Sequence, residues 1–290
     1  MNNYEIKRLT SIKELVRVME FLKDGFSESE SFSYKMLKYL INVNSNKDFF
    51  GFYLLDSKII YGAILTPFQG YYLDGCSTRN EIYSICSWYV HPKFRGIPSL
   101  KLQSRAISAL KDSIITDYTP GINATKIHKA FGFDSMNSFV YRNYIDFQTL
   151  LNRSKKFTLK EISLKNFKFG KISLLNEDFI YVKNFCLKID NSNELYFCGS
   201  LRKKKIACFK INYFMVFWTS DDYAFIRNIN SIQKHLLKFY KCFGILFYSD
   251  KLIKMKGSNL KVNNVSFLIK NGNGISYIPP IGSELSIGQY

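Results

Sequence analysis

The sequence is short of histidine, paired cysteines, acidic charge and long apolar runs, and each shortage closes off a class of function. Its three histidines, His91, His128 and His235, stand far apart. The six cysteines, Cys76, Cys86, Cys186, Cys198, Cys208 and Cys242, form no C-x-x-C pair and have no histidine at metal-ligand spacing. No metal site is expected, and no cofactor beyond a diffusible donor. Apolar neighbours surround most of these cysteines, which therefore read as buried free thiols rather than disulfides. The longest apolar runs, such as residues 206–218, are interrupted by Lys210 and Asn212 and fall short of a membrane span. The opening MNNYEIKRLTS carries no apolar segment of signal-peptide type, so a cytoplasmic protein is expected.

What the chain does have is apolar material and positive charge. Hydrophobic residues make up 47% of the 290 and aromatics 17%, enough to build cores rather than a disordered chain. The length suits two domains. Against 41 Lys and Arg there are 23 Asp and Glu, a formal net charge of +18. That excess favours polyanionic partners: coenzyme A, nucleotide-linked substrates, RNA or an anionic membrane surface. The lysines are spread along the whole chain, and the densest run, RKKK at 202–205, falls between two strand-like segments as a solvated hairpin tip. Nucleic acid is therefore the lesser expectation.

Residues 87–100, SWYVHPKFRGIPSL, carry the chemistry. Ile82, Tyr83, Ile85, Trp88, Tyr89 and Val90 predict a strand, since β-branched and aromatic side chains suit a pleated surface, and Pro92 ends it for want of an N–H. A helix is expected at once: Pro98 suits its first turn, and Leu100, Ile107 and Leu110 recur at roughly helical spacing. The turn between aims free N–H groups and a helix N-terminus at one point beside Arg95, which is a recipe for holding an anion. Downstream lies a second stretch, TPGINATKIHKAFGF at 119–133, with a strand, SIITDY at 113–118, between the two.

The first stretch resembles motif A of the GNAT acetyltransferases, in which a strand ending V-x-P precedes an Arg-Gly-rich turn that cradles the pyrophosphate of acetyl-CoA. Val90, Pro92, Arg95 and Gly96 match, while Pro98 and Leu100 fill the two positions where the family has small residues. The second stretch resembles the family's next helix and turn, N-x-x-A-x-x-x-Y-x-x-x-G-F. Counting back from Gly132 and Phe133, Ala124 matches the alanine and His128 takes the tyrosine's place. Gly121 stands where the asparagine is expected, and Asn123 comes two residues late.

The resemblance implies an α/β (α+β) fold, the acyl-CoA N-acyltransferase fold with a mixed central sheet, over residues 1–148. It implies acyl-CoA, acetyl-CoA first, bound along the splayed edge of the central strand. The backbone of Tyr89 and Val90 would hold the pantetheine arm. Arg95, Gly96, Ile97, Ser99 and Leu100 would surround the pyrophosphate, the last four as N–H donors, and Asn123 is counted with them. His128 would give a proton to the leaving thiolate. Glu81, at the start of the central strand, is the nearest carboxylate for a general base, or else a solvent-facing strand end. Ser87 and Trp88 would line the thioester or the acceptor.

The order of elements along the chain agrees with that fold. A strand at YEIKRLT is followed by Ser11 and Glu14 as a capping box, with Ile12, Leu15, Val16, Met19 and Leu22 on one helical face. Ser33 would cap a second helix with Met36, Leu37, Leu40 and Ile41 inward. Strands are expected at 49–55 and 59–67, a polar loop at 69–80, and more strand over 136–147. Residues 150–165 read as a basic boundary. A second α+β domain then spans 165–290, with strand-like pieces at 170–175, 179–187, 195–200 and 206–219, a helix capped by Asn230 and ended by Gly244, and strands at 245–248 and 265–269. On that helix Ile232, Leu236, Tyr240 and Phe243 are the expected stripe. This order echoes the first half without its Arg-Gly turn, leaving two readings open, a vestigial acetyltransferase-like repeat or an unrelated lobe. Asp221, Asp222 and Glu284 either face an acceptor or cap turns, and the apolar tail from residue 274 is expected to dock.

Three functions compete. The first is an acyl-CoA-dependent N-acyltransferase acting on a small amine, such as an amino sugar or its nucleotide conjugate. The second is an aminoacyl transferase of the Fem type, which resembles two such lobes in tandem and uses charged tRNA. The third is a non-catalytic binding protein on a degenerate fold of the same kind.

Overall fold

Ser11 starts the first helix by a reciprocal pairing with Glu14. The Ser11 hydroxyl accepts the Glu14 N–H at 3.2 Å, and a Glu14 carboxylate oxygen accepts the Ser11 N–H at 3.4 Å. The structure, a computed structural model, describes residues 4–27, 30–45, 47, 49–73, 79–144, 158–163, 172–173, 182–188, 194–206, 209–253, 260–272, 275 and 278–280. β1 (Tyr4–Leu9) leads into α1 (Ile12–Phe26), which buries Leu15, Val18, Met19 and Leu22. Ile12 and Val16 are exposed, because the helical period puts Val18 on the inward stripe and Val16 on its flank. α2 (Glu30–Val43) begins before Ser33, the expected cap, and buries Met36, Tyr39, Leu40 and Val43.

β2 (Gly51–Asp56) and β3 (Ile59–Leu65) are joined by Ser57 and Lys58, both at positive φ (48° and 71°), as in the type I′ turn whose twist matches its strands. The expected polar loop at 69–80 is largely strand: β4 (Phe68–Leu73) pairs antiparallel with β5 (Arg79–Ser84). Aromatic cross-strand partners, Phe68 against Tyr83 among them, outweigh the glycine at residue 70. β6 (Cys86–Val90), α3 (Ile97–Ala109), β7 (Ile114–Asp117), α4 (Ile122–Ala130) and β8 (Asp134–Tyr144) complete the first half.

The second half holds β9 (Thr158–Ile162), β10 (Ile172–Ser173), β11 (Lys183–Lys188), β12 (Glu194–Ile206), β13 (Phe209–Thr219), α5 (Asp222–Arg227), α6 (Ile229–Tyr240), β14 (Cys242–Ser249) and β15 (Lys261–Lys270). β9 lies inside what reads as a boundary, held there by five pairs to β11. RKKK is part of β12 rather than a tip, and Arg202 is buried with its Nε on the Ser200 hydroxyl. α6 starts at Ile229 and ends at Lys241, in the left-handed region, so Asn230 lies inside the helix and Gly244 inside β14. Its buried stripe is Ile229, Ile232, Gln233 and Leu236, while Phe243 is an exposed strand residue. Asp221 caps α5 by accepting the Ala224 N–H, and Glu284 lies outside the described residues. Cys86, Cys186, Cys198 and Cys242 are free buried thiols, and burial pushes Cys242 up to about 12; Cys76 and Cys208 lie outside the described residues. In the tail Ile278, Pro279 and Pro280 are buried, and the Pro279 carbonyl accepts the Tyr118 hydroxyl at 3.3 Å.

The strands form two sheets, one in the order β1-β2-β3-β6 and one of 11 strands, β10-β4-β5-β7-β15-β8-β14-β13-β12-β11-β9. α1 and α2 pack on one face of the first half, α3 on the other. The long sheet repeats itself. In the first half β5 runs parallel to β7 across α3, in the second β13 runs parallel to β14 across α5 and α6, and each half ends on a strand antiparallel to these. Those last strands are exchanged: β15 lies against β7, β8 lies against β14, and the two pair with each other. No described helix is long and apolar enough to cross a membrane.

Candidate active site

One strand of the first half changes partners midway, and this opens the site. Through Ser84 it runs parallel to β7, and the Ile85 N–H still reaches the Thr116 carbonyl at 2.7 Å. From Cys86 to Val90, as β6, it pairs with β3 in the other sheet. The partners change at Ile85, and just beyond it Ser87, at φ 49°, makes a bulge within β6. Before it Tyr83 and Ile85 pack beneath α3; after it Trp88 and Val90 do, so one extra residue has flipped the alternation. β6 thus diverges from β7, leaving a gap at the carboxyl ends of two parallel strands, where ligands bind in open α/β sheets.

Two helices begin at that gap without a side-chain cap. α3 starts on Gly96, at φ 95°, a conformation that favours glycine, and the space where a side chain would stand is open. The N–H groups of Gly96, Ile97 and Ser99 take no backbone partner among the described residues, and Pro98 has none to give. Leu100, expected as a fourth donor, spends its N–H on the Gly96 carbonyl at 3.0 Å, the first regular bond of the helix. Arg95 is exposed and its Nε donates to the Val90 carbonyl at 3.2 Å. α4 starts on Gly121, also without a side-chain cap, and exposes Asn123 in its first turn.

His128 is fully buried between the arms of the gap. Its ring stacks on Trp88 of β6 (5.7 Å between centroids, 26°) and on Phe133 (4.8 Å, 27°). The Gly-Phe pair makes this possible. Gly132, at φ 79°, closes α4 so that the Phe133 N–H meets the His128 carbonyl at 3.1 Å and the Gly132 N–H the Lys129 carbonyl at 3.0 Å, a Schellman motif with its customary contact between the two flanking side chains. From β7, the other arm, Asp117 brings Oδ2 to 3.1 Å from His128 Nδ1; the approach is off the N–H axis and short of a straight hydrogen bond. Asp117 Oδ1 accepts the Thr119 N–H at 3.0 Å. His128 Nε2 and Trp88 Nε1 are buried without a hydrogen-bond partner among the described residues. Buried polar atoms are nearly always paired, so two orphans in one gap ask for a ligand or water between them.

The sequence-derived residues thus divide. Val90, Arg95, Gly96, Ile97, Ser99, Trp88 and His128 gather around the gap, and Tyr89 turns its ring away beneath α1, against Phe21, Phe26 and the backbone of Gly25. Glu81 stays apart, about 20 Å up the strand from Ser87 at a strand's rise per residue. Its carboxylate is held by Lys47 and by the Tyr83 hydroxyl (3.0 Å). Burial, then Glu81, pushes that hydroxyl far above the phenol range, so it stays protonated. Asp117 is the residue that sequence reasoning missed: a polar strand end among apolar neighbours was its only signal. Among the described residues no group of three His, Cys, Asp or Glu is placed to hold a metal ion.

No protein-family model matches the sequence, and no curated protein resembles it in sequence. Solved structures do resemble its fold. A GCN5-related N-acetyltransferase from Anabaena variabilis superposes with a TM-score of 0.60 at 12% identity, covering 92% of this chain and 72% of that one. One from Kribbella flavida gives 0.62 at 10%, covering 92% and 70%. The N-myristoyltransferase of Saccharomyces cerevisiae, with bound myristoyl-CoA, gives 0.51 at 9%, covering 93% and 83%.

Proposed function

We propose, from the premise that this chain has the fold of the GCN5-related N-acetyltransferases, that it is an acyl-CoA-dependent N-acyltransferase, with acetyl-CoA as donor and a small amine as acceptor. An amino sugar or its nucleotide conjugate suits the basic surface. The observation that carries the reading is the gap beyond Ser87, which combines two uncapped helix N-termini with the orphaned Trp88 Nε1 and His128 Nε2. These features fit a thioester of coenzyme A: anion donors at the mouth, polar atoms within. The N–H groups of Gly96, Ile97 and Ser99 would take pyrophosphate oxygens, helped by the dipole of α3, and Asn123 would line the other side of the mouth.

The co-substrate, when bound, supplies an acyl group already activated as a thioester, so the protein's work is orientation and proton transfer. Trp88 and the flared backbone of Tyr89 and Val90 would orient the reacting end, and Arg95 holds the turn that ends β6. His128 Nε2 would deliver the proton that the departing sulfur needs.

Ser99→Asp tests the donor site. An acid in the first turn of α3 favours the helix dipole, so the fold is kept, yet it faces the phosphates. Isothermal titration should show coenzyme A affinity falling about tenfold or more, the equivalent of roughly 1.4 kcal/mol. Unchanged affinity, or none in the wild type, would sink the reading. The repeated strand order favours one competitor, an aminoacyl transferase using charged tRNA. Filter binding of tRNA that falls steeply with salt would support that reading instead.

A further inference from the structure

His128 is touched by both arms of the gap, and its two nitrogens are not equivalent. The ring geometry of imidazole sends Nε2 away from whatever Nδ1 faces, and Nδ1 faces Asp117 at 3.1 Å. Both side chains are buried, His128 fully and Asp117 at 5% exposure. Asp117 is itself fixed: Oδ1 accepts the Thr119 N–H, and the backbone of β7 is ordered on both sides, by β5 and by β15. Stacking on Trp88 and Phe133 holds the plane of the ring, with Nδ1 within hydrogen-bond distance of Asp117 Oδ2. A third element brings a cation to this cluster: Lys270, on β15, donates to the Phe131 carbonyl at 2.7 Å and lies 6.0 Å from the Phe133 ring. Glu81, the carboxylate expected as a base, is occupied by Lys47 and Tyr83.

We propose that Asp117 is a positioning residue that keeps the proton of neutral His128 on Nδ1, leaving Nε2 free to carry a proton from the acceptor amine to the departing sulfur. This rests on the acyltransferase reading above. As the amine nitrogen bonds to the acyl carbon and the carbon–sulfur bond breaks, the amine's surplus proton passes to Nε2, and Nε2 then gives it to the thiolate. The products are an amide and a free thiol, with no oxidant, reductant or further base. One imidazole thereby serves as base and then acid, because the carboxylate behind it stabilises the imidazolium between the two transfers.

With three histidines in the chain, the protein suits nitrogen-15 histidine NMR, with His91→Gln and His235→Gln assigning His128 by elimination. In the unliganded wild type at neutral pH, His128 should show a protonated Nδ1 and a pyridine-like Nε2. Asp117→Asn, whose side-chain oxygen can still accept the Thr119 N–H, should shift that tautomer ratio by about tenfold toward Nε2–H. Coenzyme A affinity should not change. A wild-type His128 already in the Nε2–H form overturns the proposal, even if the Asn variant fails to fold, as does an unaltered tautomer in that variant. Absence of coenzyme A binding by the wild type would overturn the acyltransferase reading instead, leaving the tautomer result intact, so the two failures are distinct.

Discussion

Ser87 occupies the left-handed region at φ 49°, which costs an L-residue roughly 1–2 kcal/mol, and it is the bulge across which the side-chain alternation of β6 flips. Ser87→Gly should therefore keep the bulge and gain about 0.5 kcal/mol in urea unfolding, the relief of strain being partly offset by glycine's extra freedom in the unfolded chain. Ser87→Val should lose about 1–2 kcal/mol, since a β-branched side chain tolerates that region worst. Equal stability of the three proteins would contradict this account. At this scale the site was legible only where local spacing carries information. His128 is placed by counting four residues back from Gly132, and the Schellman geometry gives that count its physical meaning. Asp117 escapes because its partner is chosen across a loop, by tertiary packing. Leu100 misleads because its sequence cannot tell the last orphan N–H of a helix from its first paired one.

At the scale of elements, the two parallel pairs of the long sheet end differently. Where β6 leaves β7 open, β13 and β14 are tied: the Thr219 hydroxyl donates to Asp222 Oδ1 at 2.6 Å, and the Ser249 hydroxyl donates to Asp222 Oδ2. Burial raises the Asp222 carboxyl above the ordinary aspartate range despite these two bonds. Its raised folded value means the native state holds this proton more tightly than the unfolded chain does. The stabilisation is full below the ordinary aspartate value and is lost as pH rises through the raised one. Asp222→Asn removes the ionised form, so the variant's melting temperature should gain on the wild type between about pH 4 and pH 7. A constant difference over that range would contradict the burial argument. Element type followed from pattern where the apolar period was clean, as in α1 and β14. It failed where long-range pairing decided, as in glycine-bearing β4 and polar β9, which become strands because β5 and β11 present edges to them.

For the whole molecule, the sequence suggests a cut near residue 150 that the sheet does not respect. β7 pairs through Ile115, Thr116 and Asp117 with Lys270, Ile269 and Leu268, and β8 pairs with β15 over nine positions. A chain ending at residue 150 would leave both strands with bare edges. It should show no cooperative calorimetric transition, whereas the full chain should melt in one. A truncated chain that melts sharply would mean the halves are independent after all. The exchange was invisible in the sequence, since nothing about an apolar strand at 261–270 says which half it joins.

The same exchange sets an order of events at the ribosome. β15 begins more than a hundred residues after β8 ends, an interval of roughly ten seconds of synthesis at typical rates of about 5–20 residues per second. Until then the nascent first half carries its His128 and Asp117 beside an unfinished sheet, so the site waits on a strand made long after its own residues.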